Sequence, residues 1–143
     1  MKELIINCIN SGDYHKIEEK INAMEIEEIR DILMDIVYES ESIAVYTFLQ
    51  CLISKKETAD LHYLSSEILC MPLSHIIGAY NSALFHARRA VDISPQDVSL
   101  KEYLLFFNSI PDKLVNDDEA RELAIEILEK NPASEVAKKI LEK

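Results

Sequence analysis

Apolar residues recur at spacings of three and four from one end of this chain to the other. Leu4, Ile5, Cys8 and Ile9 begin the pattern. Ile17, Ile21 and Met24 continue it, then Ile26, Ile29, Leu33, Ile36 and Val37, then Ala44, Phe48, Cys51 and Leu52. Leu61, Leu64, Ile68 and Met71 follow, with later stripes at Ala83–Val91, Leu100–Ile110, Ala120–Leu128 and Val136–Leu141. This is the period of a helix with one buried side. No segment alternates cleanly enough for a half-buried strand, so the pattern predicts an all-α protein. The chain has only two glycines and four prolines. Sandwiches, barrels and phosphate-cradling loops use such residues freely and are disfavoured.

The breaks between stripes set the organisation. Ser11-Gly12-Asp13, Glu39-Ser40-Glu41 and Ser54 to Glu57 are polar gaps. Asn116 with Glu119 reads as a capping box. Asn131-Pro132 reads as an N-cap followed by proline at the first helical position. The result is nine helices of roughly ten to eighteen residues, joined by short links. A length of 143 residues with 48% apolar composition fits one folded domain spanning 1–143. No stretch is long and apolar enough to span a membrane, and no signal-peptide pattern opens the chain.

Net charge is −11. That sign argues against nucleic acid and anionic membranes as partners, because both need surplus Lys and Arg. Cys8, Cys51 and Cys70 are odd in number, widely spaced and set among apolar residues. They fit free thiols in a reducing, cytoplasmic compartment. His15, His62, His75 and His86 include no pair at helical ligand spacing, so no metal or other cofactor is expected. Cys70 with His75 lacks the oxyanion donors of a nucleophilic site. No catalytic residues are assigned, and the chain reads as non-enzymatic. Glu28, Asp31 and Asp35 share one helix face, suited either to solvent or to a basic partner. Asp117, Asp118, Glu119 and Glu122 fit the first turn of a helix. Arg88 has Asp92 four residues on as its expected ion-pair partner. In Tyr103-Leu104-Leu105-Phe106-Phe107, either one of the two phenylalanines faces a groove as an apolar anchor or the helix is central and buries both.

Internal echoes are present. Both glycines stand in one local context, Gly12-Asp13-Tyr14 and Gly78-Ala79-Tyr80. Ala83, Ala87, Val91 and Pro95 are echoed 37 residues later by Ala120, Ala124, Leu128 and Pro132. Gly78-Ala79-Tyr80-Asn81-Ser82-Ala83, with Ala87, Ala90 and Pro95, resembles the second half of a tetratricopeptide repeat. It departs from that pattern at Ala87, where the family usually carries a large aromatic. Asn116 to Pro132 matches more loosely, and Gly12 to Met24 only at its turn. Pro72 to Ile77 reads as an insertion before the turn.

The resemblance implies a right-handed α-α solenoid of about four antiparallel helix pairs, over residues 2–23, 26–54, 57–93 and 97–130, closed by a capping helix at 133–142. It further implies a protein-interaction module that holds a peptide or partner protein in the groove lined by its first helices. His62, Ser66, Tyr103 and Phe106 are the expected groove residues. The alternative is an immunity protein that neutralises a basic toxin through the acidic face of Glu28, Asp31 and Asp35. The adjacent Leu4, Ile5 and Ile6 mark the N-terminal helix as the candidate surface for a homodimer.

Overall fold

The computed structural model describes residues 1–143 and contains helices and connections without strands. In chain order the helices are α1 (Lys2–Ser11), α2 (His15–Asn22), α3 (Ile26–Ser40), α4 (Ile43–Lys55), α5 (Ala59–Cys70), α6 (Ala79–Ile93), α7 (Val98–Leu104), α8 (Phe106–Ser109), α9 (Asp117–Lys130) and α10 (Glu135–Leu141). None is long and apolar enough to cross a membrane.

Local chemistry sets the boundaries. Gly12 stands at φ +75° and closes α1, while Gly78 at φ +83° opens α6. Both conformations favour a residue without a Cβ. Ser42, Thr58, Asp97, Asn116 and Ser134 each accept a backbone N–H at the start of a helix, satisfying one of its orphan donors. Two details differ from the sequence reading. Asn116 caps the N–H of Glu119, but the Glu119 carboxylate turns away to Arg88 and leaves the capping box half made. The last helix begins at Glu135 under Ser134 rather than at Pro132, because the Asn131 side chain is engaged in a turn with the N–H of Ala133.

The core is one continuous cluster of 30 buried residues running from Ile5 to Ile140. The closest helix pair is α5 with α6, where Ser65, Ser66, Ala83, Ala87 and Ala90 are all buried. Side chains this small let two backbones approach. Neighbouring elements are then tied in series. Lys2 of α1 reaches Asp35 and Glu39 of α3. Glu18 of α2 meets Lys55 of α4, and Arg30 of α3 forks onto Glu67 of α5. Ser66 of α5 bonds Tyr103 of α7. No side-chain hydrogen bond joins residues more than 40 apart in sequence.

Candidate functional site

Helix α3 is joined to α5 by the Arg30–Glu67 fork at 2.9 and 3.0 Å, and α5 to α7 by the Ser66–Tyr103 bond at 2.8 Å. Their outward residues form the candidate face. On α3 the buried residues Ile29, Leu33, Met34, Ile36 and Val37 turn Glu28, Asp31 and Asp35 to solvent. Three residues past Asp35, the same row ends at Tyr38, which is 54% exposed. Asp35 is paired with Lys2 at 2.6 Å, while Glu28 and Asp31 have no ion-pair partner.

On α5 the outward row is Asp60 and Tyr63. Glu67 lies along it but is drawn inward by Arg30, with its side chain 8% exposed. A cleft between α3 and α5 is lined by Ile26, Glu27, Arg30, Asp60, Tyr63, Leu64 and Glu67. The Tyr63 ring stands edge-on to Tyr103, with centroids 4.7 Å apart. On α7 and α8 the row continues through Glu102 and Phe106. Phe106 is 38% exposed and Phe107 is wholly buried, so one of the pair faces outward.

Two expected groove residues are placed elsewhere. His62 is 3% exposed and Ser66 is 0% exposed, and both face into the packing instead of lining an open groove. The reason is the tight α5–α6 contact, in which small and polar side chains occupy the side where backbones meet. Ser66 donates to the Ala83 carbonyl at 2.8 Å and accepts from the Tyr103 hydroxyl. Tyr103 thus offers its ring to the face but spends its hydroxyl inside, 3.7 Å from Cys70 Sγ. Burial pushes both the Tyr103 hydroxyl and the Cys70 thiol above their ordinary pKa. Tyr38 and Tyr63 belong to the face and were not signalled by sequence. Ile5 is buried and Leu4 and Ile6 pack against the core, so the apolar run of α1 is largely used within the chain.

A second constellation lies on the other side of α5. His62 Nδ1 and His86 Nδ1 stand 2.9 Å apart. His62 Nε2 donates to Glu57 at 2.7 Å, and His86 Nε2 meets the Tyr46 hydroxyl at 2.8 Å. Arg89 forks onto Glu57 at 2.8 and 2.9 Å. Arg89 and then His62 hold the Glu57 carboxyl down to about 2. Burial, followed by the neighbouring His62, lowers His86 to about 4. His62 and His86 are 24 residues apart on different helices, so helical ligand spacing could not have found them. Arg88 pairs with Glu119 of α9 rather than with Asp92.

The charge on the α3–α5–α7 face suits a cationic polypeptide, and its tyrosine and phenylalanine rings suit apolar anchors. The histidine network is closed on itself, and the clefts beside α2–α5, α1–α4 and α9–α10 are lined by other residues. The chain matches no family model, no curated protein and no solved structure.

Proposed function

We propose that this protein is a non-enzymatic binding module that holds a basic segment of a partner protein on the α3–α5–α7 face. The observation that carries this reading is the row Glu28, Asp31, Asp35 and Tyr38, exposed along the whole of α3. The groove and the acidic face, which are rivals in sequence, become one surface in this reading. Carboxylates steer and hold a cationic partner, and Tyr38, Tyr63 and Phe106 supply contact area.

The helix pairs in this proposal form a right-handed tetratricopeptide-like stack. Its support is the serial tying of each element to its near neighbours and the left-handed glycines at both Gly-x-Tyr turns. Neutralisation of a basic toxin is one form such binding takes, favoured by the same acidic row.

The test is a titration with an amphipathic lysine- and leucine-rich peptide as probe, at low and at physiological salt. Glu28→Lys with Asp31→Lys removes carboxylates that take part in no internal pair. A tenfold or greater loss of affinity, with steep salt dependence in the parent protein, is expected. Unchanged affinity in the double variant rejects the face.

A further inference from the structure

The buried histidine pair is unusual because its partners fix where the hydrogens sit in each protonation state. Glu57 is a carboxylate, so His62 Nε2 must carry a hydrogen toward it. The Nδ1···Nδ1 contact at 2.9 Å is a hydrogen bond only if one of the two nitrogens carries a hydrogen and the other does not. With both rings neutral, His86 Nδ1 donates to His62 Nδ1, and the Tyr46 hydroxyl donates to His86 Nε2. One added proton reverses the far end: His86 Nε2 then donates to the Tyr46 oxygen, and every ring nitrogen still has a partner. A second added proton puts hydrogens on both Nδ1 atoms. That removes the central bond and sets two imidazolium cations against each other, with Glu57 reaching only His62 and already shared with Arg89.

We propose that the His62–His86 pair is a proton-counting clasp, closed with no or one added proton and forced open by a second. The clasp joins α4 through Tyr46, the α4–α5 link through Glu57, and α5 to α6. The titratable and charged groups facing it are Tyr46 on α4, Glu57 on the link and Arg89 on α6. Phe85 covers the ring edges from α6, 5.1 Å from His86 and 6.5 Å from His62 between centroids. Both imidazoles are almost wholly buried. Opening the clasp therefore loosens the closest helix pair of the protein.

The acid limb has a definite sign. His86 is lowered to about 4 in the folded protein, against an ordinary value near 6.5 in the unfolded chain. Stability from this group is complete above pH 6.5 and is lost as pH falls from 6.5 to 4. The folding equilibrium constant drops by up to ~300-fold over that window from His86 alone.

The experiment is a nitrogen-15 NMR titration of the imidazoles in the full-length protein from pH 8 to 3.5. Amide exchange in α5 and α6 is followed over the same range. The expected result is coupled titration, with one ring in the pair remaining neutral to about pH 4. The α5–α6 amides should lose protection as that last proton binds. Independent titration of the two rings, or unchanged α5–α6 protection through the second uptake, overturns the proposal. His86→Gln adds a second arm: it should flatten the fall in denaturation midpoint between pH 6.5 and 4. A fall as steep as in the parent protein counts against the clasp. If that variant does not fold, the titration of the parent protein still decides.

Discussion

Ser66 shows how much of this protein rests on single polar atoms inside the packing. Its hydroxyl donates to the Ala83 carbonyl and accepts from Tyr103, joining three helices at one point. Ser66→Ala leaves both partners short of a bond in a buried place and should destabilise the fold by about 1–3 kcal/mol. Tyr103→Phe should cost less in the Ser66→Ala background than alone, because the two groups share one interaction. Urea denaturation of the four proteins in the cycle measures this directly. Additive effects would mean the bond contributes nothing. The outward side of α5 was misjudged in sequence for a related reason. Ser65 and Ser66 are polar by composition but small enough for a close helix crossing, and smallness decided their placement.

At the level of the helix, most of the architecture was legible. Stripes at three and four report which side of each helix is buried, and this needs no knowledge of neighbours. The breaks at Gly12 and after Ser40 and the start of α9 at Asn116 were likewise local chemistry. What could not be read was the rotation of one helix against the next. The Glu57–His62–His86–Tyr46 chain draws on α4, α5 and α6, and no spacing within one helix announces it. Gly78 gives the element-scale prediction. Its φ of +83° disfavours any side chain, yet a Cβ there would meet nothing within 4 Å. The penalty for Gly78→Val is therefore one of backbone strain alone, about 1–3 kcal/mol. Gly78→Asn should be milder, since asparagine tolerates left-handed geometry better. Chemical denaturation that finds Val and Asn equal would contradict this account of the turn.

Across the whole molecule, stability should be graded along the chain. Helix α5 is buried on nearly every side, whereas α2 has only eight residues and exposes most of its polar ones. Native-state hydrogen exchange at neutral pH should find the slowest amides in α5 and α6 and the fastest in α1, α2 and α10. Uniform protection across all helices would show that the chain opens only as a unit.

The 40-residue ceiling on side-chain bonding has a further consequence for how the molecule comes into being. Every such partner lies close behind or close ahead along the chain. The loops that must close are short, their entropy loss is modest, and collapse to the native arrangement should be rapid for a protein of this size. On the ribosome, each helix finds the side chains it will bond to within the next few dozen residues to emerge. Helices α1, α2 and α3 can therefore complete their side-chain bonding once Glu67 has emerged, before the C-terminal half has been made.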